Sequence, residues 1–275
     1  MKTFINRYPA ATYFITCFII SWVAAFVLIA PKLLNHQPLA RLDGILMFPL
    51  LLTGPLFASI ILTSYLKGKA GLRQLFSGMG RFKVKASWYL PLLIPPVAIF
   101  AVLAVLRLFV SPAFTPQFFA FGVLFAVPAG LFEEIGWTGF AFPALQKKFS
   151  ALKASVILGI FWGLWHLPVI DFLGAANPHG VYWLPFVCVF IGFVWAMRVL
   201  IAWIFCNTKS LILCQLMHIS STGFLVILGS PHVSAAQETL WYGIYASVLW
   251  AIVAVVRMVY GKNLKKPEGG LLHYG

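Results

Sequence analysis

The sequence predicts an all-α fold, a polytopic bundle of about eight transmembrane helices. Of its 275 residues, 61% are hydrophobic and only 9% are charged, and the mean hydropathy is +0.94. A soluble domain carries about 25% charged residues, so this chain has too few of them to cover a surface that faces water. Lipid must therefore be its solvent, and a single membrane domain over residues 1–275 accounts for the chain.

The thickness of the bilayer predicts the individual spans. A hydrocarbon core of about 30 Å requires roughly 20 apolar residues in a helix. This length places eight spans near residues 11–30, 44–66, 88–110, 117–142, 153–172, 181–206, 209–229 and 239–260. Proline and glycine at 54–55, 95–96 and 128–130 interrupt three of them, and proline kinks a helix. We therefore expect kinked helices around a central polar cavity.

The basic residues predict the orientation of the spans, because cytoplasmic loops carry an excess of Lys and Arg. On one side of the predicted membrane the connections hold only Lys32 and Arg41. The other side holds fifteen basic residues, namely Lys2, Arg7, Lys67, Lys69, Arg73, Arg81, Lys83, Lys85, Lys147, Lys148, Lys153, Lys209, Lys262, Lys265 and Lys266. This distribution predicts that both termini are cytoplasmic. The mixed basic and apolar segment 67–89 is expected to lie along the cytoplasmic interface.

The formal net charge of +14 does not predict a nucleic-acid partner. The basic residues lie between apolar runs, where they face an anionic lipid leaflet, so the expected partner is the lipid bilayer. The four cysteines, Cys17, Cys188, Cys206 and Cys214, lie in apolar stretches without a Cys-x-x-Cys pair. They are expected to be small buried hydrophobic residues and predict neither a disulfide nor a metal framework.

Two adjacent glutamates in the fourth predicted span are the first candidates for a functional site. Glu133 and Glu134 are two of only six acidic residues. An ionisable group inside a span costs about 2.5–3.5 kcal/mol on insertion scales and marks a functional site by default. Neighbouring carboxylates repel each other, so at least one must be protonated or have a cationic partner. A structural ion pair with Arg198, or a solvated helix end, is the alternative to a catalytic role.

Two histidines, His166 and His218, lie within the fifth and seventh predicted spans. A lone intramembrane histidine more often forms a hydrogen bond between helices, but two of them together with a glutamate pair favour a shared site. Glu133, His166 and His218 supply the donor atoms that zinc accepts. The same residues can also act without metal, with a glutamate deprotonating water while a histidine and a hydroxyl stabilise the oxyanion. Sequence spacing leaves both mechanisms open.

Several other hydrolase signatures are absent from the sequence. There is no H-E-x-x-H segment of the zincin type and no G-x-S-x-G nucleophile elbow. A pair of aspartates within the spans is also missing, since Asp171 stands alone at the end of the fifth.

Three blocks of sequence carry a family resemblance. They are EEIGWTGF at 133–140, WGLWHLP at 162–168, and WIFCNTKSL at 203–211 followed by His218. Their order and spacing resemble the motifs of the CPBP intramembrane metalloproteases, which include CAAX prenyl endopeptidases of the Rce type and bacteriocin-processing or immunity relatives. The resemblance extends over about residues 88–229.

The chain departs from the family pattern at three positions. Thr138 stands where the first motif usually has an arginine, so another cation must support the glutamates if that arginine normally does so. Trp162 replaces a phenylalanine, and Thr222 stands where many relatives have asparagine, which offers more hydrogen-bond donors. Trp162, together with Trp137 and Trp165, is expected to pack around the cavity and to take no part in the chemistry.

The resemblance implies an endopeptidase with a catalytic core at about residues 117–229. Its substrate would be a membrane-associated peptide or protein, either a CAAX-type prenylated protein or a leader-type peptide. The resemblance also favours the cell membrane of a bacterium as the location. Two other functions are left open, a non-catalytic immunity or scaffold protein and a proton-coupled transporter, although the chain lacks the internal repeats common in transporters.

The resemblance also assigns roles to the candidate residues. Glu133 would be the base that activates water, and Glu134 would be its partner or a second ligand. His166 and His218 would bind zinc or the tetrahedral oxyanion, and Thr222 would assist them.

Overall fold

The computed structural model describes residues 2–170, 179–230 and 232–266. Over those residues the chain forms eleven α-helices and no β-strand. The helices are α1 (Lys2–Arg7), α2 (Pro9–Leu34), α3 (Arg41–Leu51), α4 (Thr53–Ser77), α5 (Ile94–Phe109), α6 (Gly122–Gly136), α7 (Phe142–Gln146), α8 (Ala151–Trp165), α9 (Trp183–Thr208), α10 (Leu211–Leu228) and α11 (Ala235–Tyr260). A helix bonds its own backbone groups internally, as lipid requires of an open chain. The all-α prediction is confirmed.

Seven helical segments of the described chain are long and apolar enough to cross a membrane. They are Pro9–Leu34, Leu42–Gly80, Ala86–Phe109, Ala151–Val169, Gly180–Thr208, Leu211–Leu228 and Ala235–Tyr260. Large apolar side chains such as Ile15, Ile19 and Val27 are exposed on the outside of this bundle. Such a surface is stable against lipid tails and unfavourable in water. The chain is a multi-pass membrane protein, and each segment coincides with a predicted span.

The fourth predicted span, 117–142, differs from the other seven. It is helical from Gly122 to Gln146 but is divided by a π-helical turn at Trp137–Ala141. The helix starts later than predicted, because residue 119 is tied by its backbone N–H to the carbonyl of Ile227, 2.8 Å away. Neither α6, with 15 residues, nor α7, with five, has the length of a span by itself. An eighth crossing of the membrane stays a prediction.

The second span ends at a glycine. Gly68 in α4 has φ 59° and ψ −155°, a conformation that only glycine adopts readily, and the helix changes direction there. The segment that follows packs Leu75 against Ile135 and Leu211. It therefore covers one end of α6 and α10. Its position along the cytoplasmic interface stays a prediction.

Helix α6 is held close to its neighbours by glycines. A Cβ atom on Gly130 would lie 2.7 Å from the backbone oxygen of Gln215 in α10. A Cβ atom on Gly136 would lie 2.4 Å from the backbone oxygen of Pro55 in α4. Small residues allow such close approach of helices in a membrane bundle. They place the glutamates at the end of α6 in the centre of the molecule.

Candidate active site

Three helices bring the candidate residues to one place in the bundle. Glu133 and Glu134 lie near the end of α6, His166 follows the last residue of α8, and His218 lies in the middle of α10. All four side chains are buried, with at most 7% of their surface exposed. Asp171, at the end of the fifth predicted span, falls outside the described residues.

A cavity of about 380 Å³ lies against this group. Glu133, His166 and His218 line its wall, as does Thr222, which is one helical turn beyond His218 and on the same face of α10. Glu134 does not line it. Four of the five predicted catalytic residues therefore share one cavity, and the fifth lies behind them.

The carboxylate of Glu133 is held by two tryptophans. The indole N–H of Trp162 donates to Oε2 at 2.7 Å, and that of Trp137 donates to the same oxygen at 3.2 Å. The other oxygen, Oε1, lies 3.9 Å from Nε2 of His218, which is too long for a direct hydrogen bond. The carboxylate is thus oriented through one oxygen while the other faces His218. The sequence-based expectation that these tryptophans only pack is incomplete, because the apolar pattern around them gives no sign of their N–H partners.

Glu134 is fully occupied by other partners. Arg198 of α9 binds it through two hydrogen bonds, Nη1 to Oε1 at 3.0 Å and Nη2 to Oε2 at 2.7 Å. The hydroxyl of Thr138 also donates to Oε2 and accepts from Nη2 of Arg198 at 3.0 Å. The predicted ion pair therefore exists, but with Glu134 only. Consecutive residues on a helix point about 100° apart, which is why the two glutamates meet different neighbours.

Arg198 supplies the cation that Thr138 cannot supply. Its side chain is completely buried, and its guanidinium also lies over the Trp162 ring, 5.0 Å from the centroid. The family pattern usually has an arginine at the position of Thr138; here α9 provides one from a distant part of the sequence. Sequence reasoning named Arg198 only as the alternative to catalysis. A charged residue in the middle of an apolar run was the signal for a larger role.

Both histidines are oriented through Nδ1. In His218 this nitrogen lies 2.8 Å from Oε1 of Glu134, and in His166 it lies 2.7 Å from the backbone oxygen of Trp162. A carboxylate and a carbonyl can only accept, so each Nδ1 carries the hydrogen. In both rings Nε2 is then left for the cavity that the two side chains line.

The side chains of Glu133, His166 and His218 offer donor atoms that zinc accepts, but they are too far apart to bind one ion together. Histidines that bind zinc are typically held through the other ring nitrogen by a carboxylate or carbonyl, as His166 and His218 are. In the described part of the chain, however, no three His, Cys, Asp or Glu residues lie close enough to share a metal ion. Oε2 of Glu133 is also occupied by two indole groups. As arranged, these residues do not form a three-ligand zinc site.

Comparison with known proteins bears on the same segment. Residues 115–224 match the family model described as Type II CAAX prenyl endopeptidase Rce1-like. This part of the chain, which we call the Rce1-like segment, is therefore similar to the Rce1-like family. The Rce1-like segment contains both glutamates, both histidines, Thr222 and Arg198. The sequence-based resemblance is confirmed.

A curated relative agrees with this family. The CAAX prenyl protease 2 of Methanococcus maripaludis is 33% identical to this chain over 141 residues. The matched region covers 50% of this chain and 48% of the relative, so the chain spans about half the length of the relative that it matches.

Proposed function

We propose that this chain is an intramembrane endopeptidase that hydrolyses a peptide bond in a membrane-associated substrate. One observation carries the proposal: Glu133 presents a carboxylate oxygen without an arginine partner to a buried cavity that it shares with two histidines. A carboxylate kept away from the nearest cation remains available as a base. The Rce1-like segment and the relative called a CAAX prenyl protease support the same reaction.

In the proposed reaction Glu133 is the general base. Its Oε1 takes a proton from a water molecule in the cavity, and the hydroxide oxygen attacks the carbonyl carbon of the scissile peptide. The electron pair of the carbonyl moves onto its oxygen to give a tetrahedral oxyanion. When this intermediate collapses, the C–N bond breaks and Glu133 returns the proton to the leaving amine. No step is assigned to zinc, because the residues do not form a three-ligand set.

His218 is the proposed donor to the oxyanion. Glu134 holds its Nδ1–H, as the aspartate of a catalytic triad holds its histidine and stabilises the imidazolium form. Donation to the oxyanion requires the imidazolium form of His218, in which Nε2 carries a hydrogen as well as Nδ1. Its Nε2–H then points toward the cavity. His166, with a free Nε2, accepts a hydrogen bond from the attacking water, and the Thr222 hydroxyl assists.

The cavity is suited to an apolar substrate segment. Its wall between the catalytic group and the opening is built mainly from aromatic and aliphatic side chains, including Phe48, Phe125, Phe190, Phe193 and Leu225. Apolar lining with a few polar groups at one end is usual for sites that orient a substrate. Both a CAAX-type prenylated protein and a leader-type peptide provide such a segment.

The variant Glu133→Gln tests the role of the base. Glutamine has the same shape and its oxygen can still accept from an indole, so the fold should remain intact. We expect at least a 10²–10⁴-fold loss of turnover, the usual contribution of a general base. The measurement compares wild type and variant on quenched fluorescent peptides, both prenylated and leader-type, in detergent.

The matched control is Glu238→Gln. Glu238 is also buried, at 3% exposure, but it does not line the cavity and pairs with His179 at 3.4 Å. This control should cleave like wild type. Equal cleavage by wild type and Glu133→Gln, with both folded, would contradict the proposed function.

A further inference from the structure

A second cleft, of about 570 Å³, lies at the end of the bundle where α5 begins and where α9 and α11 end. Residues of the segment 85–94, of the last two turns of α9 and of the end of α11 form its wall, together with Lys266. None of these residues lines the cavity beside Glu133. The cleft is therefore a separate feature that the proposed reaction does not use.

Three aromatic side chains form one part of this wall. The ring centroid of Trp203 in α9 lies 5.1 Å from that of Trp88 and 5.3 Å from that of Tyr260, the last residue of α11. The centroids of Trp88 and Tyr260 are 6.3 Å apart. Tryptophan and tyrosine are enriched at the interface between membrane and water, where their rings lie among the lipid headgroups. This cluster indicates that the cleft lies at headgroup level.

Two lysines give the cleft a positive charge. Lys85 and Lys266 are both exposed, and Nζ of Lys266 lies 5.9 Å from the centroid of the Tyr260 ring. Ser87 adds a hydroxyl to the same wall. The carboxylates of the described residues line no part of the cleft, namely Asp43, Glu133, Glu134 and Glu238. A cleft of this composition suits an anion, since ammonium and hydroxyl groups can both donate to its oxygens.

The apolar side of the cleft continues along the outside of α5. Leu90 and Ile94 line the cleft, and Val97, Ala101 and Val105 follow Ile94 on the same face of the helix and are exposed. The helix rises about 16 Å from Ile94 to Val105. One leaflet contributes about 15 Å of the hydrocarbon core. An anion with acyl chains would cover this surface, whereas a free phosphate ion would not.

We propose that this cleft binds the phosphate headgroup of an anionic phospholipid, whose acyl chains lie along α5. The lipid would contact the segment 85–94, α9 and α11 at once. A ligand that binds only the folded protein stabilises it, so the bound lipid would hold these elements together. Helix α9 also carries Arg198, the partner of Glu134. Lipid binding does not depend on the proposed peptidase activity.

A lipid titration tests the proposal on the full-length protein in detergent. Native mass spectrometry measures the affinity for phosphatidylglycerol and for phosphatidylcholine with the same acyl chains, and inorganic phosphate is added as a competitor. We expect phosphatidylglycerol to bind at least tenfold more tightly, because the choline cation offsets the charge of its phosphate. Equal affinity for the two lipids would overturn the proposal. So would competition by inorganic phosphate at the same concentration as the lipid, which would indicate a site for a free anion.

The double variant Lys85→Gln with Lys266→Gln tests the two lysines. Both are exposed, so the fold should remain intact. We expect at least a tenfold loss of affinity for phosphatidylglycerol. The matched control, Lys67→Gln with Lys69→Gln, removes the same charge from exposed positions outside the cleft and should stay within twofold of wild type. An equal loss in both double variants would overturn the proposal, because it would show attraction to the surface charge in general.

A thiol block tests the position of the lipid. Cys188 is exposed, contrary to the sequence-based expectation, so it is first replaced by serine; the other cysteines, Cys17, Cys206 and Cys214, are buried. Ser87→Cys then places a single thiol in the cleft. Attachment of a bulky maleimide should lower its affinity for phosphatidylglycerol at least tenfold, and the same treatment of Cys188→Ser alone should not.

Unchanged lipid binding by the labelled Ser87→Cys protein would overturn the proposal. None of these measurements requires turnover. An inactive protein that binds phosphatidylglycerol would therefore contradict the proposed function and leave the lipid site intact.

Discussion

The two adjacent glutamates show how neighbours decide chemistry at the scale of single residues. Glu134 is held by Arg198, Thr138 and His218, whereas Glu133 receives only indole N–H groups on one oxygen. Charge-assisted, bidentate pairs are the strongest side-chain hydrogen bonds and leave little freedom for proton transfer. This difference supports the proposal that Glu134 holds His218 and that Glu133 exchanges protons with the substrate water.

Replacing Arg198 by methionine should destabilise the protein strongly. The change leaves Glu134 as a buried carboxylate without its cation, which typically costs about 3–5 kcal/mol. The double variant Arg198→Met with Glu134→Gln removes both charges and should regain most of that loss. Thermal unfolding in detergent measures both. If the double variant were no more stable than Arg198→Met alone, the two side chains would not act as a pair.

The proposed mechanism also predicts the metal content. Protein purified without added metal should contain well under one equivalent of zinc, and a strong chelator should leave peptide cleavage unchanged. Elemental analysis and the peptide assay measure these two quantities. About one equivalent of zinc, lost in the double variant His166→Ala with His218→Ala, would show instead that the histidines bind a metal ion.

At the scale of helices, the site depends on how α6 ends. A π-helical turn begins directly after Gly136, and the side chains of its first two residues, Trp137 and Thr138, donate back to the glutamates four positions earlier. Such π turns often occur at functional sites, where they change the direction of the side chains. Trp137 is fixed in turn by an edge-to-face contact with Tyr13 of α2, with ring centroids 5.3 Å apart.

The close contact between α6 and α10 can be tested with Gly130→Ala. The added methyl group would lie 2.7 Å from the backbone oxygen of Gln215, so the helices must separate and Glu133 must move away from His218. We expect a lower melting temperature and at least a tenfold loss of cleavage. Proteolysis assays and thermal unfolding measure the effect.

Gly192→Ala is the matched control for this experiment. Gly192 also lies inside a helix, but the nearest atom to its added methyl group would be 3.9 Å away. Since alanine has a higher helix propensity than glycine, this variant should be at least as stable as wild type. A Gly130→Ala protein that behaved like Gly192→Ala would show that close contact of α6 and α10 is not needed.

At the scale of the whole molecule, the basic residues lie apart from the catalytic cavity. Fifteen basic residues occupy the predicted cytoplasmic side, while the cavity beside Glu133 is lined by residues outside these basic segments. The basic residues thus predict the orientation of the bundle in the membrane.

Much of the architecture could be predicted from the sequence because it depends on local composition. Apolar runs of about 20 residues are enough to predict helices in lipid, and seven of the eight predicted spans coincide with helices of sufficient length. Local composition also identified the candidate residues, because placing a titratable group in an apolar span costs free energy and therefore marks a functional site. These residues are Glu133, Glu134, His166 and His218.

Only the tertiary structure decided which hydrogen-bond partners each of these residues has. The Trp162 donor to Glu133 is 29 positions away in sequence, Arg198 is 64 positions from Glu134, and His218 is 84 positions from it. No local sequence pattern encodes such contacts, because they form where the four helices α6, α8, α9 and α10 pack together. The sequence by itself determined that the protein is a helical membrane bundle with titratable residues at its centre. The packing of that bundle determined that Arg198 pairs with Glu134, and that Glu133 instead lines the cavity.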